Sequence, residues 1–198
     1  MARLSKTGTL VVSGLIGSGK SETASYLGGR LSVPVVKSSE VVQELMAAPP
    51  LSEIGRQRFQ ELAHQFISAA NGPVRLASAI AERVQAIRPD RCIVDGIRHL
   101  ATYEQLRMLL GNETLLMYVH TPPDIAFDFY RAREEKLGLS FTYRDVLALY
   151  DAPVESEVSS LGRAADLYVY NSFGIEAFRR MLDQLAAGLA IKTLQSRK

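Results

Sequence analysis

Residues 14–21 read Gly-Leu-Ile-Gly-Ser-Gly-Lys-Ser, and this octet constrains the fold more than any other stretch of the chain. It fits the pattern G-x-x-x-x-G-K-[ST] at every position. Its glycines let the backbone wrap closely enough for successive N–H groups to point inward at a phosphate, and a helix that follows adds its positive end. The flanks are those the motif requires: a β-branched run over 9–13 before it and a helical pattern from Lys20 to about residue 30 after it. The predicted phosphate-binding set is therefore Gly14, Ile16, Gly17, Ser18, Gly19, Lys20 and Ser21, with Glu22 in the first helical turn. Lys20 is placed to reach the β- and γ-phosphates, and Ser21 to set its hydroxyl on Mg²⁺.

Further along, short apolar runs alternate with helical patterns. Strands are expected near 33–36, 91–96, 115–120 and 166–170, and helices over about 40–48, 52–70, 73–88 and 102–110, the last with a Thr102/Gln105 capping box. Pro122 and Pro123 open another helix where the first turn tolerates proline, and a last amphipathic helix runs from Gly174 onward. Five apolar strands separated by helices predict an α/β fold, a parallel sheet covered on both faces. No repeat, low-complexity tract or long linker divides the 198 residues, so one domain is expected.

Composition excludes several classes. The formal net charge is +2, which argues against a nucleic-acid binder driven by a broad basic face. Cys92 is the single cysteine, so no internal disulfide can form, in keeping with a reducing cytoplasmic location. No uncharged apolar run approaches the roughly 20 residues of a bilayer span, and no membrane association is expected. His64, His99 and His120 are scattered without metal-ligand spacing and are read as structural or surface residues.

The glycine octet, the stretch Ile93-Val94-Asp95-Gly96-Ile97-Arg98 and the arginine-bearing segment after the fourth strand together resemble the nucleoside monophosphate kinase branch of the P-loop proteins. That branch includes adenylate kinase-like, deoxynucleoside monophosphate and dephospho-coenzyme A kinases. The resemblance implies a three-layer α/β/α P-loop NTPase fold with a five-stranded parallel sheet, a helical acceptor-binding insert over about 38–88 and a lid over about 131–152. ATP with Mg²⁺ is the implied donor, and no Asn-Lys-x-Asp base-reading motif points to GTP instead.

Asp95 ends an apolar strand at the carboxyl edge of the sheet, where open α/β folds collect ligands, and pairs with Ser21 as the expected Mg²⁺ site. Arg98 departs from the family pattern: the proline is missing and the arginine comes one position early. Ser38 and Ser39 begin where the acceptor-binding helix begins in that family. Arg56 and Arg75 are further acceptor-phosphate candidates, since the rigid guanidinium fork meets phosphate oxygens two at a time. Arg131 and Arg133, with Lys136, Arg144 and a break at Gly138, have the residue types of a lid, where positive charge stabilises the moving phosphoryl group. The segment 151–174 resembles the closing segment of dephospho-coenzyme A and deoxynucleotide kinases, and that resemblance implies that Asn171, in the turn 171–174, lies beside the ATP base. Glu155 and Glu157 have no assigned partner.

The leading expectation is an ATP-dependent phosphotransferase acting on a nucleoside or deoxynucleoside monophosphate or a similar small phosphorylated acceptor. Lys20, Asp95, Arg98, Arg131 and Arg133 would carry catalysis, in a monomer or homodimer. A regulatory P-loop ATPase or switch, and a kinase of a metabolite such as dephospho-coenzyme A, remain open.

Overall fold

A computed structural model describes residues 8–49, 51–87, 90–135, 142–151 and 153–195. The strand β1 (Gly8–Ser13) enters the glycine octet and the helix α1 (Lys20–Leu31) leaves it. There follow β2 (Val35–Lys37), α2 (Ser38–Leu45), α3 (Leu51–Ile54), α4 (Arg56–Ser68) and α5 (Gly72–Ile87). The second half runs β3 (Arg91–Asp95), α6 (Leu100–Leu110), β4 (Thr114–His120), α7 (Pro123–Glu135), α8 (Tyr143–Tyr150), α9 (Pro153–Ser156), α10 (Val158–Ala164), β5 (Leu167–Tyr170) and α11 (Ile175–Gln195).

The five strands pair in parallel in the order β2-β3-β1-β4-β5. Parallel neighbours need a crossover, and every crossover here contains a helix. The period of two in each strand sorts the side chains onto two faces. Val11, Val94 and Leu116 face α5, α6 and α10, whereas Leu10, Val12, Ile93 and Met117 face α1 and α11. Complete burial of such a side chain contributes about 1.5–3 kcal/mol, which makes the register costly to slip. Helices thus cover both faces, giving the expected three layers.

A third, smaller cluster matters for the site. Ile16, from the octet, is buried against Tyr130 of α7 and Val146 of α8, with Phe127, Leu149 and Tyr150 around them. The start of α8 is set by a capping box: the Thr142 hydroxyl accepts from the Asp145 N–H, and the Asp145 carboxylate accepts from the Thr142 N–H at 2.8 Å. Such caps are worth about 0.5–2 kcal/mol and fix where the far end of α8 arrives.

Some boundaries differ from expectation. The pattern over 52–70 is not one helix, because Gly55 interrupts it between α3 and α4. Thr102 makes no capping box: α6 begins two residues earlier, and Thr102 is buried in its first turn. The helix expected over 40–48 starts at Ser38 and stops at Leu45. Of the expected lid, residues 136–141 and 152, with Lys136 and Gly138, lie outside the described residues. No helix among the described residues is long and apolar enough to cross a membrane.

Candidate active site

The octet adopts the conformation that its glycines permit. Gly17 has φ +78°, and a Cβ there would lie 2.7 Å from the Ala126 carbonyl oxygen; Gly19 has φ +87°, and its Cβ would lie 2.7 Å from Asn171 Nδ2. Any other residue would meet both a steric wall and left-handed strain. The loop is braced from behind by side chains of later elements, two of them buried and one half-buried. Thr121 Oγ1 and Asn171 Nδ2 both donate to the Ser18 carbonyl, at 2.9 and 3.1 Å. Tyr150 donates its hydroxyl to the Ile16 carbonyl at 3.2 Å. Lys20, itself buried, donates to the Leu15 carbonyl at 3.2 Å, so its ammonium is drawn toward the loop.

In front of the loop lies a cavity of about 290 Å³. Ile16, Gly17, Lys20 and Ser21 line one end and Asp95 stands beside them. Ser21 hydrogen-bonds the Asp95 carboxyl, and Lys20, Arg98 and Lys37 add favourable charge, yet burial outweighs these and holds the carboxyl above its usual range. Asp95 Oδ1 is buried with no hydrogen-bond partner. An orphaned carboxylate oxygen beside a hydroxyl is a donor set suited to Mg²⁺, which takes one or two protein oxygens and completes its shell with water and phosphate. Among the described residues no cluster of three or more His, Cys, Asp or Glu side chains offers a fuller cage.

The other end of the cavity belongs to the β3–α6 turn, α2 and the helical insert. Ser13 Oγ donates to the Ile97 carbonyl at 2.7 Å and Ser38 Oγ to the Gly96 carbonyl at 2.8 Å, which fixes the turn that carries Arg98 and His99. Val42, Phe59, Ile67 and Leu76 form an apolar wall. Among the other lining residues, Gln60 Nε2, His99 Nε2 and Thr102 Oγ1 are buried without hydrogen-bond partners. Polar atoms left so in a cavity are groups a ligand can satisfy.

Arg98 lines the cavity and forms an ion pair with Glu155 of α9, whose side chain is 0% exposed. His99 Nδ1 lies 3.4 Å from Glu157 Oε2. Burial lowers the His99 pKa against the pull of Glu157, with Arg98 and His64 also disfavouring the charged ring. The two carboxylates with no partner in the sequence reading are thus the partners of two cavity residues.

Several predicted residues are not brought to the cavity. Arg75 is exposed, with its guanidinium 4.9 Å from the centre of the Phe66 ring of α4, and it does not line this cavity. Glu22 points along the outside of α1 to Arg179, at 2.6 Å. Arg131 is exposed and lies over Phe127 at 5.3 Å, with Asp128 3.4 Å away. Asn171 braces the loop and is 3% exposed. Arg56 sits at the start of α4 and Arg133 in the last turns of α7, and their side chains lie outside the described residues. Ser39 lines the cavity beside Ser38.

Sequence reading missed Phe59, Gln60, His99, Thr102, Tyr150 and Glu155. The first four sit in helices or turns whose facing the sequence leaves open. Glu155 stands between Val154 and Ser156, with Glu157 next, and nothing in that run marks it for burial.

No protein-family model matches the sequence. A UPF0200 protein of Saccharolobus islandicus strain Y.G.57.14 is 27% identical over 179 residues, covering 89% of this chain and 90% of that protein. A UPF0200 protein of Thermococcus onnurineus is 30% identical over 127 residues, covering 63% of this chain and 67% of that protein. Among solved structures, shikimate kinase from Bacteroides thetaiotaomicron matches with TM-score 0.57 and 16% identity over 92% of this chain and 98% of that one. A gluconokinase from Sinorhizobium meliloti matches with TM-score 0.57 and 15% identity over 96% of this chain and 99% of that one. These likenesses show the three-layer P-loop kinase fold.

Proposed function

Because this chain belongs to the UPF0200 family and has the fold of the P-loop kinases, we propose that it is an ATP-dependent phosphotransferase that moves the γ-phosphoryl group to a small acceptor held in the 290 Å³ cavity. The observation that carries this reading is the continuity of that cavity. Its lining runs from Lys20 and Ser21, past Asp95, to Ser38, Phe59 and Arg98, so a donor at one end and an acceptor at the other would share one cavity.

Phosphoryl transfer leaves the protein mainly positioning and charge neutralisation to do. The loop N–H groups and Lys20 would hold the β- and γ-phosphates. Ser21 and Asp95 would hold Mg²⁺, which would supply positive charge against the negative charge that develops on the transferring phosphoryl group. Arg98 and the Ser38 side of the cavity would orient the acceptor, and the apolar wall would exclude water that competes as a nucleophile. The acceptor we favour is a nucleoside or deoxynucleoside monophosphate or a similar phosphorylated molecule, the apolar wall supporting a flat base and Arg98 a phosphate.

A second reading, a kinase of an unphosphorylated metabolite, is favoured by two observations. Arg75 lies away from the cavity, and Glu155 already neutralises Arg98. The test is ADP release from MgATP with a panel of ribo- and deoxynucleoside monophosphates, dephospho-coenzyme A and small hydroxylated metabolites, with Lys20→Ala as blank. Strong stimulation by one acceptor is the expected result. Release that stays at the water-only rate throughout, while ATP still binds, would instead favour a regulatory ATPase or switch.

A further inference from the structure

Two peptide units of the phosphate loop are held from outside through their carbonyl oxygens, and the two holders differ in kind. The Ser18–Gly19 unit is held by Thr121 and Asn171, both buried at the ends of β4 and β5 in the rigid sheet layer. The Ile16–Gly17 unit is held by Tyr150, the last residue of α8. In a trans peptide the C=O and N–H point in opposite directions, and no cis peptide occurs among the described residues. A donor placed on a carbonyl therefore also aims the next residue's N–H. Gly17, which follows Ile16, lines the cavity.

We infer that Tyr150 is a positioning residue of the donor site: its hydroxyl, by holding the Ile16 carbonyl, aims the Gly17 N–H at the phosphates of the bound nucleotide. The inference rests on the proposed phosphate-binding role of the loop and adds to it a residue 134 positions away.

Three features support it. The Tyr150 ring packs with Leu149 and Phe127 against the cluster that buries Ile16, Tyr130 and Val146, so the hydroxyl is delivered by a packed body. The same α7–α8 layer touches the next residue, since the Ala126 carbonyl leaves no room for a side chain at Gly17. Glycine there also lacks any side chain of its own to bias the peptide, and a flexible backbone gains most from an external hydrogen bond. Burial raises the Tyr150 phenol to about 12, so the group remains a donor at every pH at which the protein is assayed.

The experiment measures MgADP and MgATP binding by calorimetry to wild type, Tyr150→Phe and Lys20→Ala, together with thermal unfolding and the ¹⁵N–¹H shift of the Gly17 amide. Tyr150→Phe keeps the ring and deletes one donor. Both nucleotides are expected to bind about fivefold more weakly, the factor that one net hydrogen bond supplies. The Gly17 amide is expected to shift while the melting temperature falls by no more than about 4 °C, the most that one hydrogen bond is worth in a chain of this length. Binding unchanged in Tyr150→Phe, with Lys20→Ala defective, overturns the inference and leaves the loop reading intact. A melting temperature that drops with an unshifted Gly17 amide also overturns it, since that is a structural role. Full binding by Lys20→Ala would remove the loop reading itself.

Discussion

The Arg98–Glu155 pair makes the sharpest stability prediction. Glu155 has a side chain 0% exposed and Arg98 one 21% exposed, so the pair is not symmetrical toward water. Deleting one partner of a buried pair costs about 3–5 kcal/mol, because the survivor keeps its desolvation penalty without its counter-charge. Arg98→Met strands a carboxylate that cannot reach solvent and belongs at the upper end. Glu155→Leu leaves a guanidinium that already touches water and can extend along its stem, so it belongs at the lower end or below. For a chain of this length 1 kcal/mol moves the melting point by about 2–4 °C, so Arg98→Met should melt roughly 10–20 °C lower. The double variant Arg98→Met/Glu155→Leu removes both penalties and should recover most of that loss. Thermal unfolding followed by far- and near-ultraviolet circular dichroism measures all four corners of the cycle. An Arg98→Met variant within about 1 kcal/mol of wild type, or a double variant as unstable as the sum of the singles, would refute the reasoning.

Two further outcomes are expected. Burial holds the Asp95 carboxyl above its usual range, so between its unfolded and folded pKa the native chain binds more protons than the unfolded one, and this group's contribution to stability falls as pH rises through that window. Asp95→Asn should therefore melt higher than wild type at pH 7 without nucleotide, lose that advantage toward pH 4, and lose Mg²⁺-dependent activity; calorimetric scans across this range check it, and a lower melting point at pH 7 sinks it. Gly17→Ala should abolish nucleotide binding and destabilise the fold by about 1–3 kcal/mol, because its Cβ meets the Ala126 carbonyl oxygen at 2.7 Å in a left-handed backbone. Urea titration and calorimetry read the two effects, and normal binding would show that the loop can rearrange.

The octet, the five strands and their helical crossovers were legible from the sequence because their signals are local. Spacing of glycines, the period of two in strands and the period of 3.6 in helices are all set by neighbours within a turn or two. Asp95 was legible for the same reason, since the end of an apolar strand defines a sheet edge. The facing of a helix against the rest of the molecule is not local. Arg75 and Phe59 stand on neighbouring helices of one insert, yet only Phe59 reaches the cavity, because packing between α4, α5 and the sheet decides which side turns inward.

What the sequence determined by itself is thus the parallel α/β frame and the residue types of the proposed donor end: a glycine-rich loop, a lysine, a hydroxyl and a carboxylate. The tertiary structure alone decided the company these residues keep. It set Tyr150 on the Ile16 carbonyl, Glu155 on Arg98 and Glu157 beside His99. The physical reason is that each pair joins segments distant in sequence through a single side-chain contact a few ångströms long. Such a contact leaves no periodic trace in the chain and exists only once the layers have packed.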